Sequence, residues 1–307
     1  CEQLSLINRQ GVARVLRRWK GIPLVDTVTP TDEEALAADL DLSGNASLFH
    51  LVCLANTPGG IDRLRNWLLH PADPQTIAAR QPAVAEFGPL LENRQELHRR
   101  GLKLAAGKMD PGRFLRWAEG EQWLAKRPWL AWATRCLPVL ILLFVVLGAT
   151  ETLPASAWMI PFFANLVLGF VFCGEMHAIF GSISSRHGEI REFAALFELV
   201  GETPCTSAEL LRLQRRTADG GVSACRRIDL LGRIMDLANL RFSSMAYMMV
   251  QSLTSWDFHV LTLLERWQRR NGRHVRRWFE ALGEWEALAS LASLAHDNPS
   301  WVYPTVE

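Results

Sequence analysis

The apolar stretch between Leu137 and Gly174 constrains this chain more than any other feature. It contains one formal charge, Glu151. Its second run, Ala157–Gly174, is uncharged and close to the roughly 20 apolar residues that a helix needs to cross a hydrocarbon core of about 30 Å. The first run is strictly apolar only over 137–149, and it becomes long enough when it is extended back to Pro128, which includes Arg135.

One arginine does not prevent insertion of the first run. Ten Leu, Ile, Val or Phe residues between Leu137 and Leu147 each favour insertion by about 0.3–0.6 kcal/mol, against a cost of about 2.5–3.5 kcal/mol for a central Arg. Arg135 is also off-centre, so its long side chain can reach the interface. We therefore predict a transmembrane helical hairpin formed by Pro128–Ala149 and Ala157–Gly174.

The charges around the hairpin predict its orientation. The connecting segment Thr150–Ser156 has no Lys or Arg, whereas Lys126, Arg127 and Arg186 flank the outer ends. Basic residues favour the cytoplasmic side, so we expect both soluble flanks in the cytoplasm and the hairpin in the inner (cytoplasmic) membrane. Trp129, Trp132 and Trp158 lie where an interfacial aromatic belt is expected. The alternative is a buried hairpin in a large soluble helical core.

The remaining sequence predicts an all-α protein. Thr57-Pro58 and Asp73-Pro74 are helix-start signals, and His70-Pro71 is a stop signal. Pro82 should kink or divide the second of these helices. Before them, Ser47–Asn56 is expected to be a short helix. The alternating Asp39–Leu42 should form a short extended piece.

The region after the hairpin has helical spacing of its apolar residues throughout. Gly220-Gly221 and Asn271-Gly272 are turn signals that separate the helices. The predicted helices are Ser207–Arg216, with Ser207 as its cap, Ala224–Gln251, Leu253–Arg270 and His274–His296.

Recognisable catalytic and metal-binding patterns are absent. The six cysteines form no CxxC pair, and the chain has no GxxxxGK[ST], HExxH or GxSxG motif. Lys+Arg is 33 and Asp+Glu is 32, so no overall charge points to nucleic acid. His177 and His187 lie near Glu175 and Glu189, but this spacing carries little weight as a metal site. We assign no catalytic, cofactor-binding or metal-binding residue.

One basic cluster could contact an anion. Six arginines between Glu265 and Trp278 could bind DNA phosphates or lipid headgroups. They are Arg266, Arg269, Arg270, Arg273, Arg276 and Arg277. The competing interpretation is a solvated helix–turn–helix end balanced by Glu280, Glu284 and Glu286. A smaller basic group, Arg14, Arg17, Arg18 and Lys20, is expected at the surface or beside the membrane.

Six further segments follow one another in a characteristic order. They read DLDLSGNASLF from Asp39, TPGG from Thr57, LRNWLLHP from Leu64, IAARQPAVAE from Ile77, GEWEALASLA from Gly283, and NPSWVYP from Asn298. In this order they resemble the core of the MutS family of DNA mismatch repair ATPases. The nearest likeness is to a divergent branch with a hydrophobic insertion in its helical core.

This resemblance implies a MutS-core-like helical bundle with long lever helices and the transmembrane hairpin inserted into it. The module would couple the nucleotide state of a C-terminal ABC-type ATPase domain to engagement of a dimer partner or DNA. That domain, with its ATP and Mg²⁺, would begin shortly after Glu307, and this chain would itself hold no cofactor. The family also implies a homodimer. Its mismatch-reading Phe-x-Glu domain is not found, so DNA is the less supported partner.

The resulting division has four parts. Residues 1–35 are an N-terminal connector, 36–125 the first part of the core, 126–180 the hairpin, and 181–307 the second part of the core with the lever helices. Two other functions are open on the sequence: a membrane-anchored helical scaffold without ATPase activity, and a nucleic-acid-binding module that uses the six arginines.

Overall fold

A computed structural model describes residues 2–25, 37, 39–106, 111–183, 189–218, 222–242 and 244–305. Within these ranges the regular elements are thirteen α-helices and two short 3₁₀ turns, and no strand occurs there. The all-α prediction is confirmed. The chain divides into two compact units. The first unit comprises Cys1–Lys108, Glu192–Arg226 and Arg276–Glu307, and the second comprises Met109–Arg191 and Arg227–Val275.

The first unit begins with five helices. They are α1 (Glu2–Val15), α2 (Leu48–Val52), α3 (Pro58–Leu69), α4 (Pro74–Phe87) and α5 (Leu91–Ala105), with a 3₁₀ turn at Trp19–Gly21. Most of α9 (Glu189–Glu202) and all of α10 (Ala208–Thr217) also belong to this unit. Its core includes the fully buried rings of Phe87 and Trp285, whose centroids are 5.2 Å apart.

The predicted helix starts of α3 and α4 are confirmed. The Thr57 side chain accepts a hydrogen bond from the amide of Gly60 at 3.1 Å, and Asp73 accepts one from Thr76 at 2.9 Å. Helix α3 ends at Leu69, immediately before His70-Pro71. The predicted division at Pro82 is wrong, because α4 is one helix whose buried face continues past the proline.

Two local predictions near the first unit's turns need correction. Asp39–Leu42 is not extended: Asp39 is helical, and Asp41 lies in a turn with φ +49°. An alternating pattern forms a strand only with a partner strand, and the described residues contain none. Ser207 precedes α10 as predicted, but its side chain makes no capping hydrogen bond. Glu86 of α4 instead accepts the Ser207 amide at 2.7 Å.

The second unit contains the two long apolar helices. Helix α6 (Pro111–Glu119) is followed by α7 (Pro128–Ala149) and α8 (Met159–Ile183). Helix α7 has the predicted bounds, while α8 begins two residues later than predicted and continues beyond Gly174. Both are long and apolar enough to cross a membrane, with mean hydropathies of 2.3 and 1.7. Only 17% of each apolar window is buried.

The C-terminal helices differ from the predicted boundaries. Predicted helix Ala224–Gln251 is interrupted by a 3₁₀ turn at Asn239–Phe242, which separates α11 (Ala224–Ala238) from α12 (Ser244–Thr254). The predicted turn at Asn271-Gly272 does not exist. A single 42-residue helix, α13 (Trp256–Asp297), runs through both residues. Its residues up to Val275 belong to the second unit and the rest to the first.

Candidate functional site

Within the second unit, α13 binds the loop that leads into the first apolar helix. The Glu265 carboxylate accepts the amide of Leu124, and that of Ala125 at 3.2 Å. The Glu265 side chain is buried, which raises its pKa, while the two amides oppose this shift. An acid that appears solvated in the sequence therefore holds the backbone just before Pro128, where α7 begins.

The C-terminal end of α6 contacts α13 one and two turns further on. The Gln268 side-chain amide donates to the carbonyl oxygens of Trp117 at 2.6 Å and Gly120 at 2.8 Å. At Gly272 the backbones are so close that a Cβ would collide with the carbonyl oxygen of Ala118. The helix continues here because glycine permits close packing, whereas the sequence suggested a turn.

The Asn271 side chain also forms hydrogen bonds inside the second unit. Its side-chain amide donates to the Trp267 carbonyl at 2.9 Å, within the helix, and its oxygen accepts from Arg227 at 3.0 Å. These bonds use both ends of the Asn271 amide inside the packed unit. The side chain is thus not available to stabilise a turn.

Within the first unit, a second buried glutamate of α13 binds the head of α3. Glu286 accepts the amides of Asn56 at 3.1 Å and Thr57 at 3.3 Å, and it also accepts the Thr57 hydroxyl. Complete burial raises the pKa of Glu286 to about 7, against the lowering effect of these donors. Ser290 adds to the contact by accepting the Leu54 amide at 3.1 Å.

Segments quoted for the family resemblance lie together in this unit. A Cβ at Gly283 would meet the carbonyl oxygen of Gly59, so the head of α3 and α13 touch through backbone atoms. A cavity of about 400 Å³ has walls from α3, α4, the end of α13 and residues 301–304. There Gln81 donates to the Pro304 carbonyl at 2.8 Å, and the Arg80 guanidinium lies 3.8 Å from the Trp67 ring centre.

All six predicted anion-binding arginines are exposed on α13. Arg266, Arg269, Arg270 and Arg273 lie in the second unit, and Arg276 and Arg277 in the first. Among the described residues, the four in the second unit form no ion pair with an acid.

The acids proposed to balance these arginines have other roles. Glu286 is buried against α3, and Glu284 is bound by Arg212 at 2.6 Å and Arg216 at 3.1 Å. Since both carboxylates are bound to other groups, the predicted balance by these two acids is wrong. The smaller basic group also needs correction, because Arg14 is buried and donates to the carbonyls of Leu51 and Cys53.

A second cavity in the first unit was not predicted. It has a volume of about 550 Å³, lies between α1, α5 and the end of α13, and is lined by Arg14, Arg94, His98 and Asp297 among mostly apolar atoms. The His98 Nδ1 lies 2.9 Å from the Leu54 carbonyl oxygen, and its buried Nε2 has no partner among the described residues. Burial lowers the pKa of His98. Apart from Arg14, which belongs to the basic group near the start, no sequence pattern marks these residues, since they come from distant segments.

A metal site is not found among the described residues, where no three His, Cys, Asp or Glu side chains form a group suited to an ion. His187 lies outside the described residues, so the weak metal pattern that includes it is not tested. Comparisons with family models, curated proteins and solved structures gave no match.

Proposed function

We propose that this chain is the membrane-anchored core and lever module of a MutS-like ATPase. Membrane anchoring is supported by the two apolar helices, because only 17% of the most apolar window of each helix is buried in the protein. A buried hairpin in a soluble core would need most of that surface covered. Exposed Trp129 and Trp132 at the start of α7 suit a membrane interface.

The lever part of the proposal is carried by one observation: α13 is a continuous helix with one buried, amide-binding glutamate in each unit. Glu265 holds the loop before the hairpin, and Glu286 holds the head of α3. We infer that this continuous helix transmits a displacement between its two polar attachments. The segments behind the family resemblance meet at α13 in the first unit, which adds support.

The first test is to read the coding sequence beyond Glu307. A GxxxxGK[ST] motif within roughly the next hundred residues, after a predicted strand, is the expected result. ATP and Mg²⁺ would bind there, since this chain has no such motif. A stop codon would overturn the lever proposal and leave the alternative, a membrane-anchored helical scaffold without ATPase activity.

The second test measures coupling in the chain that includes the ATPase. Nucleotide is expected to change amide hydrogen exchange in residues 117–126, and Glu265→Ala is expected to abolish that change. Glu198→Ala, at an exposed carboxylate, is the matched control. A response that survives Glu265→Ala would contradict the lever role. Light scattering of the detergent-solubilised chain tests the homodimer that the family resemblance implies.

Nucleic-acid binding is a second candidate, favoured by the four exposed arginines of the second unit, which form no ion pair with an acid in the described part of the chain. Backbone contacts by arginine weaken steeply as salt rises. Replacing Arg266, Arg269, Arg270 and Arg273 with Gln should therefore remove both oligonucleotide binding and its salt dependence. Binding that is unchanged by these replacements would eliminate this candidate.

A further inference from the structure

The segment that precedes the arginine row has the composition of a membrane element. From Ser244 to Leu264 it contains one formal charge, Asp257. Helix α12 ends at Thr254, Ser255 has φ +53°, and α13 begins at Trp256. The Tyr247 hydroxyl of α12 donates to the Asp257 carboxylate of α13 at 2.7 Å, so the two helices fold back on each other at Ser255. The segment is therefore two short apolar arms joined at Ser255.

The turn at Ser255 is bonded to the middle of α8. The Asn165 side chain donates to the Ser252 carbonyl at 2.8 Å and accepts the Ser255 hydroxyl. Asn165 lies ten residues before Glu175, or about 15 Å along the helix. Glu175 is 3.9 Å from Arg127, which directly precedes α7, so this pair marks the basic end of the hairpin. The turn is thus about half of a 30 Å core away from that end.

Two other lengths agree with this depth. Ser255 and Glu265 are ten residues apart on α13, again about 15 Å, and Glu265 binds the loop just before α7. Helix α12 has 11 residues, or about 16 Å. Both arms therefore extend from the level of the basic end to the level of Asn165.

Several polar groups at the turn form hydrogen bonds within the protein, as the bilayer interior favours. The Ser255 amide donates to the Gln251 carbonyl at 3.0 Å, and the Asp257 amide to the Gln251 side-chain oxygen at 3.0 Å. Asp257 accepts the Tyr247 hydroxyl at 2.7 Å and is only 2% exposed. The single charge consequently faces protein.

The outer face of α12 is apolar and uncovered. Helix α12 packs on both α7 and α8, while Met248 and Met249 are 70% and 63% exposed. This surface continues the uncovered apolar surface of the hairpin within the same unit. Arg266 directly follows Glu265 and Arg269 lies one turn later, where phosphate headgroups would meet a helix that leaves the membrane.

We propose that α12 and the first part of α13 enter the bilayer as a re-entrant helical pair, with the Ser255 turn near the midplane and lipid acyl chains against Met248 and Met249. This inference rests on the proposed membrane anchoring by α7 and α8. It adds a third membrane-embedded element that is too short to span.

Cysteine accessibility tests the re-entrant pair and the hairpin of α7 and α8 separately. In a chain whose native cysteines are replaced by Ala, single cysteines are placed at Met248 on α12, Phe170 on α8 and Leu230 on α11. Inverted membrane vesicles are treated with a membrane-impermeant maleimide before and after detergent. We expect Leu230→Cys to react at once. Met248→Cys and Phe170→Cys should remain unmodified until detergent is added.

The labelling results distinguish a failure of the re-entrant pair from a failure of the membrane-spanning hairpin. Rapid modification of Met248→Cys with protected Phe170→Cys would overturn the re-entrant pair and leave the hairpin intact. Rapid modification of Phe170→Cys would overturn both. If the cysteine-free chain does not insert, photo-crosslinking from benzoylphenylalanine at position 248 in the otherwise native chain decides. Phospholipid adducts are expected, and their absence, with adducts formed from position 170, would overturn the proposal.

Discussion

The carboxylate of Glu286 accepts the backbone amide of Thr57, a residue 229 positions earlier in the chain. This bond joins α13 to the head of α3 inside the core of the first unit. The glutamate is 2% exposed, and the donors that it meets are neutral. A buried carboxyl among neutral donors retains its proton more strongly than one in water, because burial penalises the charged form.

The pH dependence of stability should show this strong proton binding. Folding raises the pKa of Glu286 from 4.5 to about 7. The stability that the protonated carboxyl contributes is therefore fully present below pH 4.5 and is lost as pH rises through about 7. The loss is about 3 kcal/mol. Glu286→Gln should remove this pH-dependent loss, so the stability of the variant relative to the wild type should increase between pH 5 and pH 8. Thermal unfolding in detergent, followed by helical circular dichroism, measures the difference.

Glu280→Gln, on the same helix, is the control for this experiment. It should leave the wild-type pH profile unchanged. Parallel unfolding curves for wild type and Glu286→Gln across this pH range would show that the carboxyl is solvated, and they would contradict the attachment of α13 to α3.

The contrast between Glu286 and Thr57 shows which features were predictable. Helix starts depend on neighbouring residues, so Thr57-Pro58 and Asp73-Pro74 were sufficient to predict them. The bounds of α7 also followed from composition. Whether an acidic side chain on a helix is buried or solvated depends on residues far away in the sequence. No neighbouring residue distinguishes Glu286 or Glu265 from a solvated acid.

The largest error in the predicted helices, the turn at Asn271-Gly272, also arose because a distant segment determines the structure there. Asn271-Gly272 is a strong turn signal when only its neighbours are considered. The carbonyl of Ala118, in a distant segment, makes glycine necessary for packing, and the helix continues. The arginines around this position are exposed, as expected, but two of the three acids expected to balance them, Glu284 and Glu286, bind other groups in the first unit.

Gly272→Ala should destabilise the protein by about 1–3 kcal/mol, because the new methyl group collides with backbone that cannot rotate away. Helix propensity alone predicts the opposite, a gain of about 1 kcal/mol. Gly201→Ala on α9 is the matched control, since a Cβ there meets nothing within 4 Å. Chemical unfolding in detergent would decide. A stabilising effect at position 272 would mean that α13 does not pack on Ala118.

Asn165→Leu should loosen α12 from the hairpin. The substitution keeps a similar volume but removes the bonds to Ser252 and Ser255. Interhelical bonds of this kind contribute about 0.6–2 kcal/mol in membrane proteins, and the unpaired Ser252 carbonyl adds to the loss. The expected result is a lower melting temperature with faster amide exchange in residues 247–258. Val167→Leu, at an exposed position on α8, should change neither, and equal behaviour of the two variants would refute the contact.

The orientation of the hairpin can be read from two exposed positions. Glu151 lies in the connecting segment and Arg233 on α11, and both are exposed. Basic residues such as Lys126 and Arg127 favour a cytoplasmic location of the hairpin's outer ends. In intact cells, an impermeant maleimide should therefore modify Glu151→Cys in a cysteine-free chain. Arg233→Cys should react only after the inner membrane is permeabilised. The reverse pattern would place the soluble flanks outside the cell, and immediate reaction of Arg233→Cys together with Glu151→Cys would contradict a spanning hairpin.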